Sequence, residues 1–246
     1  MKNQLKILLI GYGKMGRAIE QLAREKGHEL VACISDRQGD IAHICHAYQP
    51  TMAFEFTSPE SAPQNIINLL EAGIPVVSGS TGWLDHWEDV QKVVTRRKGA
   101  FFYASNFSLG MNLLFHLTEI SARFLRNYPE YDVSIEEIHH TEKKDMPSGT
   151  AITLAERLMR HMPDKKGWNL NEESSRQQIG ISALRQANVP GTHTVTISSP
   201  IDTIQLSHTA HSRLGFATGA LAAGEWLLGK TGVFGMDDLL RDRFSA

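Results

Sequence analysis

Residues 137–151 read Glu137-Ile138-His139-His140-Thr141-Glu142-Lys143-Lys144-Asp145-Met146-Pro147-Ser148-Gly149-Thr150-Ala151 and collect the side chains that proton transfer and anion binding need. Histidine titrates near neutrality, so His139 or His140 is a candidate acid toward a carbanion or a nitrogen. Lys143 lies within loop reach and offers a full positive charge or a proton. Pro147-Ser148-Gly149-Thr150 breaks the chain just before an apolar-periodic run, which makes Ser148 an N-cap candidate and Gly149 and Thr150 first-turn residues. Free amides and the helix dipole make such a turn an anion site, with the Thr150 hydroxyl as a further donor. The pattern suits a dianionic substrate that is held and protonated. A metal reading is weaker. His139, His140 and Glu142 offer ligands, but adjacent histidines on a strand diverge, and no cysteine pair or HExxH helix completes a set. No metal is expected here. His43, Cys45 and His46 form a second cluster, read as a structural part of a helix.

These residues need elements to hold them. Residues 132–138 alternate as a strand does, so Val133, Ile135, Glu137 and His139 share one face while Ile138 and His140 share the other. Both histidines can serve one ligand only if the strand ends near His139 and the chain turns, and the following loop-like residues allow that. Residues 151–162 make the helix that follows, and 108–127 make a long helix before it. Three β-rich runs come later, at 181–185, 192–199 and 203–211. Such a set predicts an α+β domain with a mixed sheet. Residues 163–178, polar and rich in lysine and glutamate, read as a mobile loop.

The first hundred residues follow a different rhythm. Apolar or β-rich runs at 5–10, 29–35, 52–57, 75–78 and 100–104 alternate with helical patterns at 15–26, 61–72 and 87–97. Repeated βαβ units imply right-handed crossovers and a parallel sheet covered on both faces. The first strand runs into Gly11-Tyr12-Gly13-Lys14-Met15-Gly16, a GxGxxG turn that opens a helix. Gly11 permits the tight turn, Gly13 lets the backbone approach a pyrophosphate, and Gly16 allows close helix–sheet packing. Asp36 stands about 20 residues past Gly16, where a ribose-binding acid is expected. Arg37 and Lys14 could pair with a 2′-phosphate. The turn therefore predicts a Rossmann-type doubly wound parallel sheet that binds NADH or NADPH. Residues 216–228 return to a helical pattern whose place is assigned to this domain. The expected division is 1–108 with 213–246 for the dinucleotide, and 109–212 for substrate and self-association.

Composition limits the partners. The formal net charge of −2 argues against non-specific nucleic-acid binding. Hydrophobic residues make up 41% and charged residues 21%, as in ordinary globular chains. No apolar stretch approaches a membrane span. The apolar run near the start is short and ends at a glycine turn, unlike a signal peptide. Cys33 and Cys45 are too few for a disulfide framework. A cytoplasmic location is expected.

The run at 137–151 resembles the signature of the dihydrodipicolinate reductases (4-hydroxy-tetrahydrodipicolinate reductases) of lysine and diaminopimelate biosynthesis. Further pieces similar to that family occur in order: FTSP at 56–59, GSTG at 79–82, SNFSLGMN at 105–112, GTHTV at 191–195 and HSRLGFATGA at 211–220. The resemblance implies that His139 is the proton donor with Lys143 as its catalytic partner. It implies substrate carboxylate binding by His140, Gly149 and Thr150. It also implies cofactor contacts from Gly79, Ser80 and Thr81 and from Ala104, Ser105, Asn106 and Phe107, with Arg213 where the chain returns to the cofactor domain. A cyclic dicarboxylate substrate and a homotetramer built through the second domain's sheet are further implications. The sequence departs from the family pattern at Lys14 (usually arginine), Glu55 (usually aspartate) and Met146 (usually alanine). Two other readings compete: a different NAD(P)-dependent dicarboxylate or amino-acid dehydrogenase on the same plan, and a non-catalytic dinucleotide-binding redox sensor that needs neither His139 nor Lys143.

Overall fold

The computed structural model describes residues 4–35, 41–212 and 214–244. The chain forms two compact units, Met1–Leu109 with Leu214–Ala246, and Gly110–Arg213.

In the first unit a six-stranded sheet is built from β1 (Lys6–Ile10), β2 (Glu29–Ile34), β3 (Met52–Glu55), β4 (Val76–Ser78), β5 (Ala100–Tyr103) and β11 (Gly232–Phe234), in the order β11-β5-β4-β3-β1-β2. All of its pairings are parallel. β1 explains the two-sided cover. Leu5, Ile7 and Leu9 pack with Ile19 and Ala23 of α1 (Lys14–Glu25) and with Ala217, Ala220 and Leu221 of α7 (Leu214–Leu227). Leu8 and Ile10 face the other way, toward residues of α2 (Ile41–Tyr48), α3 (Ala62–Glu71) and α4 (Trp87–Arg97). From Ile7 to Ile10 the strand is buried on both faces and must be apolar at each position, which is why that stretch reads as a continuous run rather than an alternation; Lys6, at its start, is exposed. From β1 the chain winds out to β2 and then returns across β1 to β3. The strand order therefore reverses beside β1, at the switch point where open α/β sheets bind their ligands. α8 (Met236–Phe244) closes the unit. β11 and α8 were not anticipated from the sequence.

The second unit holds a five-stranded mixed sheet ordered β10-β9-β6-β8-β7. Its strands are β6 (Asp132–His139), β7 (Gly167–Leu170), β8 (Gln178–Arg185), β9 (Gly191–Ser198) and β10 (Thr203–Ala210). β9 runs antiparallel to β6 and β10, whereas β8 is parallel to β6 and β7. One face is covered by α5 (Leu109–Leu125) and α6 (Gly149–Met159). Val133 and Ile135, Ile179 and Ile181, and Val195 and Ile197 meet Leu114, Phe115, Ala151, Leu154 and Leu158 there. The opposite face carries Ser134, Glu136, Ser182, Thr194, Thr196 and Ser198 along a shallow polar groove.

The expected mobile loop at 163–178 is corrected in part, because it contains β7. Lys165 is buried and donates to the Asp132 carboxylate and to the Ser175 and Gln178 carbonyls. The Asn171 side chain accepts from the Ala183 amide at 2.9 Å. Polar side chains facing inward hold this segment, and so its composition resembles that of a loop.

Candidate active site

The covered face of the second sheet changes character at one end. Along β6, Val133, Ile135, Glu137 and His139 are all buried on the same face, at 1%, 2%, 0% and 7% exposure. The first pair is apolar core; the second pair is not. β9 repeats the change, with Ile197 and Val195 leading to buried His193, which stands opposite Glu137 in the ladder. β8 repeats it again: Ile181 and Ala183 lead to Arg185, opposite His139. Three strands thus deliver a carboxylate, two imidazoles and a guanidinium to the same end of one face.

The start of α6 closes over that end. Ser148 is its N-cap, with φ −68° and ψ 154°, and its Oγ accepts from the Ala151 amide at 3.2 Å. Its own amide donates to both oxygens of Glu137, at 3.1 Å each. Gly149 and Thr150 are then the first two helical residues, whose amides have no acceptor within the helix. His193 Nε2 lies 3.3 Å from Ser148 Oγ and 3.7 Å from Glu137. Its ring meets that of His139 edge-to-face, with centroids 4.9 Å apart. Arg185 lies 3.3 Å from Glu137 and also donates to the Lys143 and Asp145 carbonyls, which fastens the loop between β6 and α6.

Electrostatics at this end favours uncharged imidazole. Burial pushes His193 down to about 3, helped by positive charge on His139, His208 and Lys143. Burial also lowers His139; Glu137 opposes that shift, while Lys143 and Arg185 add to it. Lys143 donates to both oxygens of Asp145 at 2.8 Å, so in this structure the lysine expected beside His139 is paired with an aspartate. Desolvation works against the charged form of Asp145, but its bonds to Lys143 outweigh it and hold the carboxyl below the usual range. β6 ends at His139, and the Lys143 amide donates to the His140 carbonyl at 3.1 Å, which is the turn that two adjacent histidines require. The ligand atoms of Glu137, His139 and His193 lie within 4.8 Å of one another, close enough for a cation. The Arg185 guanidinium, however, already supplies fixed positive charge to Glu137.

In the first unit the described cofactor candidates, Gly11 to Gly16, Gly79 to Thr81 and Ala104 to Phe107, lie at the carboxyl ends of β1, β4 and β5. Gly11 has φ +95°, and a Cβ there would stand 2.1 Å from the Phe56 carbonyl oxygen. A Cβ on Gly16 would stand 2.3 Å from the Gly11 carbonyl oxygen, whereas around Gly13 nothing comes within 4 Å. The turn is thus packed on its inner side and open outward at Gly13. Gly13 caps α1 without a side-chain hydrogen bond, and the first turn carries no acidic residue. Unclaimed amides and positive potential remain for a pyrophosphate, so the residues fit a dinucleotide. Tyr12 donates to Glu20, and Lys14 is exposed. Ser80 Oγ accepts from the Thr57 amide at 2.8 Å, while Gly79 packs against the Phe56 ring. Phe107 stacks at a tilt on Phe56, with centroids 5.8 Å apart. Ala104 is buried; Thr81 and Ser105 are exposed; Asn106 accepts from the Ser108 amide. Asp36, Arg37 and Arg213 lie outside the described residues.

Residues 5–107 match the family model for the N-terminus of dihydrodipicolinate reductase, and residues 110–240 match that for its C-terminus. The chain belongs to the dihydrodipicolinate reductase family. It is 45% identical over 241 residues to the 4-hydroxy-tetrahydrodipicolinate reductase of Christiangramia forsetii, across 98% of this chain and 99% of that protein. It is 34% identical to the reductase of the same name from Desulfovibrio desulfuricans, across 95% and 98%. Its fold is that of the dipicolinate-bound dihydrodipicolinate reductase from Paenisporosarcina sp. TG-14, with a TM-score of 0.81 over 96% of this chain and 99% of that one, at 20% identity.

Against this family background, several residues that sequence reasoning left out stand in the site. Arg185 and His193 are two, and Glu137 was placed on the face of His139 but given no role. In the first unit, at the cofactor end of β3, Glu55 was named only as a departure from the family pattern. It is fully buried and accepts from the Thr57 amide at 3.0 Å, the Ser78 hydroxyl at 2.6 Å, the Ser80 hydroxyl at 3.0 Å and the Thr57 hydroxyl. Burial raises its pKa, and the three hydroxyls hold that rise back. The signal available was the polar Glu55 ending an otherwise apolar strand.

Proposed function

We propose that the chain reduces 4-hydroxy-tetrahydrodipicolinate to tetrahydrodipicolinate with NADH or NADPH, in lysine and diaminopimelate biosynthesis. Beyond family membership, the observation that carries this reading is the juxtaposition of a helix start, a lysine and two histidines at one end of the second sheet. A cyclic dicarboxylate needs anion contacts for its carboxylates and an acid near its ring. The Gly149 and Thr150 amides, the Thr150 hydroxyl and His140 take a carboxylate. His139 supplies the proton, and Lys143 adds positive charge that favours its release. Bound reduced nicotinamide supplies the hydride. In the first unit, Gly11 to Gly16 hold the pyrophosphate, Asp36 and Arg37 take the ribose end, and Gly79 to Thr81 with Ala104 to Phe107 line the remainder. The polar open face of the second sheet suits self-association into a homotetramer, which sedimentation would detect. A cytoplasmic location accords with the pathway.

The experiment is nicotinamide oxidation with freshly generated substrate, on the wild type and on His139→Gln and Lys143→Ala. The His139 variant should lose about 10²–10⁴-fold in kcat, the scale of general acid catalysis, with KM moving less. The Lys143 variant should lose in both, and the double variant should be less than additive. Turnover absent from the wild type would favour the sensor reading. Near-wild-type kcat in both single variants would remove His139 and Lys143 from the proton transfer.

A further inference from the structure

His139 needs more than a suitable position to serve as an acid. Its ring must present the correct nitrogen, and something must decide which one. Lys143 cannot do this, because it has no acceptor to offer and is turned to Asp145. The Nδ1 of His139 is the inward nitrogen: it is buried and has no hydrogen-bond partner among the described residues. Glu137 Oε2 lies 3.6 Å away, too far for a hydrogen bond and near enough to become one with a small shift. The other nitrogen, Nε2, lies over Gly191, where a Cβ would come within 3.1 Å of it; glycine at the start of β9 leaves room for the ring. The carboxylate cannot swing away. It has 0% exposure, the Ser148 amide donates to both of its oxygens, and Arg185 pairs with it. The His193 ring covers the remaining side, 3.7 Å from Glu137 and edge-to-face with His139.

We propose that Glu137 is the positioning residue for His139: its clamped carboxylate takes the Nδ1–H and so makes Nε2 the proton-donating atom, while His193 walls the pair off from water. This rests on the reading of His139 as the proton donor. In the step, the His139 imidazolium loses its Nε2–H bond as the substrate atom gains the proton. The N–H electron pair stays on Nε2, and the ring is left neutral with its remaining hydrogen on Nδ1, facing a carboxylate that never leaves its ionised form. Solvent restores the proton after turnover. The charged and titratable groups around the ring are Glu137 of β6, Lys143 and Asp145 of the following loop, Arg185 of β8, His193 of β9 and, behind it, His208 of β10. Among these, Glu137 is the largest influence that keeps His139 protonated against burial.

The test has two arms. In wild-type enzyme labelled with ¹⁵N-histidine, the neutral form of His139 should carry its hydrogen on Nδ1. In kinetics, Glu137→Gln should lower kcat by about 10- to 100-fold, part of the general-acid contribution. The alkaline limb of its pH profile should move to lower pH, because the charge that favoured the imidazolium is gone. A purely structural role, slackening the start of α6 through Ser148, would raise KM and leave the limb in place. The proposal is overturned by an Nε2–H tautomer in the wild type, and that arm stands even if the variant does not fold. It is equally overturned if Glu137→Gln keeps the limb unmoved while His139→Gln is inactive. Wild-type kcat in His139→Gln brings down the proton-donor reading itself, a result that separates the two failures.

Discussion

Acid should loosen the second unit through His193. Its imidazole is buried on β9 with a pKa lowered from 6.5 to about 3, chiefly by burial. A lowered value fixes the sign. Above pH 6.5 the ring is neutral in both folded and unfolded chains and contributes no pH dependence. Between 6.5 and about 3 the unfolded chain binds a proton that the folded chain refuses, so stability is lost as the pH falls. The full slope of such a group is about 1.4 kcal/mol per pH unit and is reached only once the unfolded ring is protonated, so acidification from 6.5 to 4.5 removes about 2 kcal/mol. That is a large part of the ~5–15 kcal/mol by which domains are stable. Gln at this position keeps an amide to face Ser148 Oγ and cannot be protonated.

Because the chain has two units, a single unfolding midpoint would mix them. Amide hydrogen exchange read on β6 and β9 isolates the relevant sheet. Protection of these amides, corrected for intrinsic rates, should fall by about 2 kcal/mol more in the wild type than in His193→Gln between pH 6.5 and 4.5. The lowered pKa of His139 contributes to both proteins and largely cancels. Protection that falls in parallel in the two proteins would refute the reasoning, because it would mean that the folded site accepts the proton as readily as water does.

Three further outcomes are expected. Thr150→Val should weaken pyridine-2,6-dicarboxylate binding by about 0.5–1.5 kcal/mol in calorimetry, the worth of one hydrogen bond, and leave NADH affinity unchanged; undiminished binding would place the anion elsewhere. The raised pKa of Glu55 means that wild-type stability declines as the pH rises upward from 4.5, the unfolded value. Glu55→Gln should abolish that slope in first-unit exchange, and an unchanged slope would show that the three hydroxyls fully compensate the buried charge. Lys165→Met removes the ammonium that ties the Asp132 carboxylate to the Ser175 and Gln178 carbonyls and should destabilise by about 1–3 kcal/mol. Proteolysis within residues 166–178 should then speed up, and an unaltered digestion rate would show that β7 pairing alone retains the segment.

The parts of the fold that were legible are those where burial leaves a periodic trace. β1 is covered on both sides from Ile7 to Ile10 and is therefore uniformly apolar there. β6 and β9 are covered on one side and therefore alternate. β7 left no such trace: its four residues, Gly167–Leu170, are all half-buried, so its sequence carries no contrast between faces. Its anchors, Lys165 and Asn171, are polar residues acting at a distance, which local composition assigns to solvent. β11, with three residues and a glycine at φ +126°, is too short for any period to show.

The candidate site divides along the same line. The run from 137 to 151 was readable because strand end, turn and helix start follow one another along the chain. Arg185 and His193 were not, because their place depends on register. Glu137 meets His193 through an antiparallel ladder, and His139 meets Arg185 through a parallel one. A one-residue slip of β9 would send its imidazole to the open face and bring a threonine, Thr192 or Thr194, to the buried one. The apolar residues farther along the same strands are what resist that slip. Val195 and Ile197 of β9 stand opposite Ile135 and Val133 of β6 beneath the helices, and any shift would expose them. The hydrophobic core of the second unit thereby sets which ring faces Glu137, and with it the environment of the proton that His139 would deliver.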